Sequence, residues 1–246
     1  MSGPVALVTG AGSGIGRAVA VGLAQAGWRL VLAGRRREAL EETQALIGAG
    51  RVVPADVADE TSVIALFQKI EAEYGRLDLL FNNAGRSAPA VPLNELPVSE
   101  LRNLIDINIF GAFLCARAAF GLMRRQAPQG GRIINNGSVS AYGPRPFSAP
   151  YTASKHAITG LTKSLILDGR AWGITASQID IGNAITDMSA KMETGVLQAD
   201  GSLKPEPRID LAHVVKTVVH MAGLPPEANM PFVTVMATDM PLYGRG

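Results

Sequence analysis

Val5-Ala6-Leu7-Val8-Thr9-Gly10-Ala11-Gly12-Ser13-Gly14-Ile15-Gly16 is the stretch on which the rest of the chain is organised. Its first five residues form an unbroken apolar run, the pattern of a parallel strand covered on both faces. Glycines follow, and Arg17 to Ala24 then carries a helical pattern that stops at Gly27. Strand, glycine loop and helix start together define a phosphate site. Free backbone N–H groups and the positive end of the helix dipole converge where a side chain would obstruct an anion. The spacing is Gly10-x-x-x-Gly14-x-Gly16, with Thr9 in front and with Gly12, Ser13 and Ile15 completing the loop. A loop that is merely flexible would not need the strand and helix on either side.

Reading outward, Trp28 to Ala33 is expected as the second strand, followed by Gly34-Arg35-Arg36-Arg37. An acidic residue at this distance would bind the adenosine ribose of NAD, whereas an arginine pairs with a 2′-phosphate. Gly34 holds the acidic place, so Arg35 points to NADP(H), with NAD as the alternative if the three arginines only open a solvated helix. Glu38 to Ile47 reads as a helix and Arg51 to Ala55 as a short third strand. Asp56 at its end is placed to receive an adenine amino group with Val57 packing nearby; alternatively, Asp56 or Asp59 caps the helix Glu60 to Tyr74. Leu77 to Phe81 is the fourth strand, ending in Asn82-Asn83-Ala84-Gly85. Small residues there let the backbone approach a cofactor, although a plain turn fits the same string.

A helix from Glu100 to about Arg125 carries apolar residues around most of its girth, so it is expected to be buried on more than one side. Asn108 interrupts that surface as either a satisfied structural amide or a member of a polar relay. Arg132 to Ser138 is the fifth strand, with Ser138 at its C-terminal end. Three prolines (Pro144, Pro146, Pro150) then hold the chain out of helix until Tyr151-Thr152-Ala153-Ser154-Lys155. Positions 151 and 155 lie one turn apart, so a phenol and an ammonium there serve one bound molecule. Forming a phenolate at pH 7 costs about 4 kcal/mol, and a neighbouring cation lowers that cost. Ile174 to Ile181 is the sixth strand, Thr186 follows at the level of the site, residues 188–208 read as a mobile substrate flap, and Phe232 to Met236 closes the sheet.

The whole chain has 246 residues, 47% hydrophobic and 18% charged, which suits one large α/β domain. A net charge of +2 supplies no field for nucleic acid or an anionic membrane, so small molecules are the expected partners. One cysteine and three scattered histidines offer neither a disulfide nor metal-ligand spacing. Met1 to Pro4 has no basic leader, and the expectation is a cytoplasmic protein.

Four landmarks now stand in order: Thr9-Gly10-x-x-x-Gly14-x-Gly16, Asn82-Asn83-Ala84-Gly85, Ser138, and Tyr151-x-x-x-Lys155. With them the chain resembles the short-chain dehydrogenase/reductases over essentially its full length, including members that reduce 3-oxoacyl thioesters. The resemblance implies a Rossmann-type doubly wound sheet of about seven parallel strands in order 3-2-1-4-5-6-7, and a bound nicotinamide dinucleotide. It also implies a catalytic group of Asn108, Ser138, Tyr151 and Lys155. Tyr151 would be the acid or base, Ser138 would bind the substrate oxygen, and Lys155 would hold the nicotinamide ribose. Asn108 would link Lys155 to a water path. Hydride transfer to a carbonyl builds an alkoxide that needs a proton and hydrogen-bond donors, which agrees with these roles. Two departures stand out. Ile181-Gly182 replaces the usual Pro-Gly before Thr186, and Ser13 replaces the basic loop residue common in NADPH users. Family members pair the helices equivalent to 100–125 and 151–170 into homodimers or homotetramers.

The expected function is therefore NADP(H)-dependent interconversion of a secondary alcohol and a ketone. An NAD-linked oxidative dehydrogenase is the nearer rival, and a nucleotide-sensing protein without catalysis the more distant one. The last has no use for Ser138, Tyr151 and Lys155 together.

Overall fold

A computed structural model describes residues 3–243. Seven strands form one parallel sheet in the order β3-β2-β1-β4-β5-β6-β9. These are β1 (Val5–Thr9), β2 (Arg29–Gly34), β3 (Arg51–Pro54), β4 (Leu79–Asn82), β5 (Gly131–Asn136), β6 (Ile174–Ile181) and β9 (Phe232–Val235). The strand order is the one expected, with β9 as the seventh strand. Several boundaries shift by one or two residues: β3 stops at Pro54 and β9 at Val235, each one residue early, and β5 stops at Asn136, so Ser138 lies just past its end. Trp28 precedes β2, and β4 begins at Leu79; before it, the backbone N–H of Leu77 donates to the Gln126 side chain at 2.8 Å.

The two-residue alternation of a strand sorts the core into two layers. Val5 and Leu7 of β1, with Val31, Leu80 and Ile133, face α3 (Glu60–Tyr74), α4 (Val98–Arg125) and α5 (Ala149–Asp168). Ala6 and Val8, with Leu32, Phe81 and Ile134, face α1 (Gly14–Gln25), α2 (Arg37–Ile47) and α7 (Leu211–Ala222). Every residue of β1 is buried, as its apolar run requires. Asp59 caps α3 by accepting from the N–H groups of Thr61 at 3.1 Å and Ser62 at 3.3 Å, satisfying donors that a helix start leaves open.

The long helix α4 starts at Val98, two residues before the expected position, and does not keep one pitch. Asp106–Gly111 is wound as a π-helix between two α-helical halves. Such wide turns concentrate at functional sites because they re-aim one side chain, and here the segment contains Asn108. Gly111 fixes the packing beside it, since a Cβ there would lie 2.8 Å from Val57 Cγ2. By length and composition α4 would pass for a membrane span, yet half of that stretch is buried within the fold.

Residues 188–208, read as a flap, contain regular structure: a short helix α6 (Lys191–Thr194) and an antiparallel hairpin of β7 (Val196–Leu197) with β8 (Leu203–Lys204). The hairpin stands apart from the main sheet and sits over the C-terminal edge of the central strands, where Leu197 and Leu203 line a cavity.

Candidate active site

At the C-terminal ends of β1, β4, β5 and β6 lies a cavity of about 690 Å³. Parallel sheets place their ligands at this edge, where the strand order reverses. The first wall is the glycine loop. Gly10 and Gly14 have φ of 67° and 51°, conformations that side chains resist, and a Cβ on Gly16 would lie 2.2 Å from the Gly10 carbonyl oxygen. The loop is stapled to β4. Thr9 Oγ1 accepts from the N–H groups of Asn83 at 2.9 Å and Ala84 at 3.0 Å, and Asn83 Nδ2 donates to the Thr9 carbonyl at 2.9 Å. Asn83 is thus more than a turn residue; it ties two strand ends together.

Two braces of this loop were not legible as such. Arg17 Nη2 donates to the Gly12 carbonyl at 2.6 Å and to the Ala39 carbonyl at 3.2 Å, and Thr43 Oγ1 donates to the Ala11 carbonyl at 2.9 Å. Both side chains read as ordinary helical positions, because their partners are backbone atoms that only the tertiary fold brings near. Gly12 faces this packing rather than the cavity, with its missing Cβ 3.0 Å from that of Ala39.

The second wall comes from β5 and the segment after it. Ser138 is buried, its N–H donating to Asp180 Oδ1 at 2.9 Å while its Oγ accepts from Ser140 N at 3.1 Å. Asp180 is a fully buried carboxylate that also accepts from Gln178 Nε2 at 2.8 Å and from the Tyr142 hydroxyl at 2.7 Å. Three donors replace the water it has lost. Only a glycine at 137 allows this, since a Cβ there would lie 2.0 Å from Asp180 Oδ1. Partial burial and the facing carboxylate push the Tyr142 hydroxyl up to about 12. Asp180 as the support of Ser138 was missed, and the one available signal was an acid inside the apolar pattern of β6.

The third wall is the first two turns of α5. Tyr151 and Lys155 both line the cavity, with Lys155 Nζ 5.5 Å from the centre of the Tyr151 ring. Lys155 is only 7% exposed, and its ammonium donates to the Asn136 carbonyl at 2.7 Å. Asn108 lies behind this wall. Its amide closes both ways on Arg86, accepting from Arg86 N at 2.8 Å and donating to Arg86 O at 2.9 Å. It also donates to Ser154 Oγ at 3.3 Å, and Ser154 donates to the Tyr151 carbonyl at 2.7 Å. The connection from Asn108 to the helix therefore runs through Ser154 to the backbone of Tyr151. The role of Ser154 was not anticipated.

The segment after β6 completes the enclosure. Thr186 reaches the glycine loop, its Cγ2 lying 3.4 Å from where a Cβ of Gly14 would be, despite Ile181 standing in place of proline. Of the expected cofactor contacts, Gly10, Ser13, Gly14, Ile15, Gly16, Asn83, Ala84, Gly85, Tyr151, Lys155 and Thr186 line the cavity. Gly12, Arg35, Asp56 and Val57 lie outside its lining, as does Asn108. Arg35 is exposed just beyond β2, beside the loop, where the Ala11 N–H donates to the Ala33 carbonyl at 3.1 Å. Asp56 Oδ1 accepts from Ala58 N at 3.0 Å, an arrangement internal to its turn. Among the described residues no group of three or more His, Cys, Asp or Glu side chains is placed to hold a metal ion. The cradle of glycines at the start of α1 fits a dinucleotide, because three Cβ-free positions and a helix N-terminus meet at one end of the cavity.

The sequence pattern of the short chain dehydrogenase family matches residues 4–196, and the chain belongs to that family. It is an oxidoreductase of that family. It is 40% identical over 182 residues to a 3beta-hydroxysteroid dehydrogenase of Mediterraneibacter gnavus, a match covering 71% of this chain and 64% of the relative's length. It is 36% identical over 208 residues to a cis-4-hydroxycyclohexanecarboxylate dehydrogenase of Sinomonas cyclohexanicum, covering 83% of each. Among solved structures, an actinorhodin polyketide ketoreductase with NADPH superposes with a TM-score of 0.85 at 27% identity, covering 95% of both chains.

Proposed function

We propose that this enzyme interconverts a secondary alcohol and a ketone on an apolar, alicyclic skeleton, using NADP(H), with Tyr151 as the acid or base. The observation that carries the reading is the convergence on one cavity of the glycine cradle, Ser138, Tyr151 and Lys155. When bound, the dinucleotide supplies or accepts the hydride. The chain's own residues handle the oxygen and the proton. Ser138 Oγ, fixed by Ser140 N, hydrogen-bonds the substrate oxygen, and Tyr151 delivers a proton to that oxygen as it becomes an alkoxide, or removes one in the reverse direction. Lys155, held by Asn136, keeps a positive charge beside the phenol and holds the ribose hydroxyls. Asn108 fixes the first turn of α5 through Ser154.

Cofactor choice rests on Arg35, an exposed guanidinium that makes no ion pair among the described residues and sits beside the Gly34 position, where an acid would select NAD. The substrate class rests on the far wall, where Pro146, Phe147, Met188, Met192, Leu197 and Leu203 are apolar. Relatives named for a hydroxysteroid and a hydroxycyclohexane support a ring-bearing substrate. We also assign a homodimer or homotetramer built on α4, which leaves Phe110 and Phe113 half-exposed. The test is oxidation of NADPH, followed by absorbance, with a panel of cyclic and open-chain ketones. Turnover of cyclic ketones supports the reading, and its absence across the panel with the cofactor demonstrably bound refutes it.

A further inference from the structure

The segment between β5 and α5 turns sharply at Arg145-Pro146-Phe147-Ser148. The Ser148 N–H donates to the Arg145 carbonyl at 3.3 Å, closing a four-residue turn with proline second and phenylalanine third. Phe147 has φ 60°. A proline second and a positive φ third make the pattern of a type II turn, whose third position favours glycine because a Cβ there crowds the backbone. On local grounds phenylalanine is the wrong residue for this turn, since bulky side chains avoid that conformation.

The surroundings enforce it. Ser148 Oγ accepts from Arg145 N at 3.1 Å and donates to the Arg145 carbonyl at 2.6 Å, so one hydroxyl clamps both backbone groups of the first turn residue. The Ser148 carbonyl accepts from Thr152 N at 2.8 Å, and Thr152 Oγ1 lies 3.1 Å from Ser148 Oγ. The turn is thereby fastened to the start of α5, which carries Tyr151, and Phe147 keeps a fixed place relative to that residue.

The packing of the fold does not recover the cost. Phe147 belongs to neither core layer and is 44% exposed. It lines the cavity together with Pro146, and Met192, Leu197 and Leu203 line the same cavity from α6 and the hairpin. Strain of this kind is kept at ligand clamps, and an accessible aromatic ring among aliphatic side chains suits an apolar ligand. Ser138 and Tyr151 are taken up by the reacting oxygen, which leaves the Phe147 ring for a part of the skeleton away from it.

We infer that Phe147 is a specificity-determining residue, held in a glycine conformation so that its ring packs on an apolar ring of the substrate beyond the one that carries the reacting oxygen. The inference rests on the proposed alcohol–ketone chemistry and narrows it to molecules with at least two joined apolar rings.

The test compares cyclohexanone with 4-cyclohexylcyclohexanone for NADPH-dependent turnover and, separately, for binding to the NADPH-loaded enzyme by calorimetry. In the wild type the two-ring ketone exceeds the one-ring ketone by about tenfold or more in kcat/KM, through KM. In Phe147→Gly and in Phe147→Ala that advantage falls by about fivefold or more. Circular dichroism establishes that both variants are folded, and urea unfolding separates the strain from the contact. At an ordinary φ glycine is the less stable of the two replacements, but at φ 60° Phe147→Gly unfolds at a higher urea midpoint than Phe147→Ala. An alanine midpoint at or above that of glycine, or an unchanged two-ring advantage in both variants, overturns the inference. Turnover of both ketones by the wild type without the ranking refutes the inference alone, whereas binding in the ranked order without turnover refutes the proposed reaction and leaves the contact standing.

Discussion

Lys155 Nζ donates to the main-chain carbonyl of Asn136 at 2.7 Å, fastening the second turn of α5 to the last residue of β5. The bond fixes where the ammonium stands relative to the Tyr151 ring, 5.5 Å away at its centre. It also costs the ammonium little of its capacity, since two of its three N–H groups remain for a ribose and for the phenol.

Replacing Lys155 by Met keeps the length of the side chain and removes its charge. The expected result is a fall in kcat of about 100-fold or more, the range general acid–base assistance supplies, together with weaker NADPH binding. Steady-state kinetics and quenching of NADPH fluorescence measure the two effects separately.

Asn108 is predicted to matter for stability as well as catalysis. Asn108→Ala leaves the Arg86 N–H and carbonyl without their partners and frees Ser154. Urea unfolding is expected to show a loss of about 1–3 kcal/mol, the cost of stranding buried polar groups. A folded variant with unchanged midpoint would remove Asn108 from the scaffold.

Most of the fold was legible because its signals are local. The apolar run Val5 to Thr9, the glycines behind it and the helix pattern from Arg17 each follow from neighbouring residues, and a parallel sheet in this order is the arrangement that buries them. The candidate site was legible in so far as Ser138, Tyr151 and Lys155 sit at ends of elements. What was not legible depends on contacts between distant segments. Asp180 beneath Ser138 is 42 positions away from it, Glu206 meets Arg145 across 61, and Arg17 braces the loop through backbone carbonyls that carry no side-chain signature. The π-helical turn at Asp106–Gly111 has no composition cue either. It arises where α4 must satisfy Asn108 against Arg86 and still approach Val57 at Gly111.

Arg35→Ala tests cofactor choice. Losing one charge-assisted contact to a 2′-phosphate is expected to weaken NADPH binding about tenfold or more and to leave NADH binding unchanged. Equal losses for both dinucleotides, or none for either, would favour the NAD-linked rival, and direct titration with each decides.

Phe113→Glu tests assembly. Phe113 is half-exposed on α4, and a charge placed in a subunit interface without a partner disfavours association. Light scattering coupled to size-exclusion chromatography is expected to give a smaller species for the variant than for the wild type, with a melting curve that shows it folded.

The central claim is that the Tyr151 hydroxyl moves the proton, and Tyr151→Phe with a cyclic ketone and NADPH tests it most directly. The account predicts that the variant binds NADPH with an affinity near that of the wild type while turnover falls about 100-fold or more, the contribution of a positioned acid. Wild-type turnover by a folded, cofactor-bound Tyr151→Phe enzyme would contradict it.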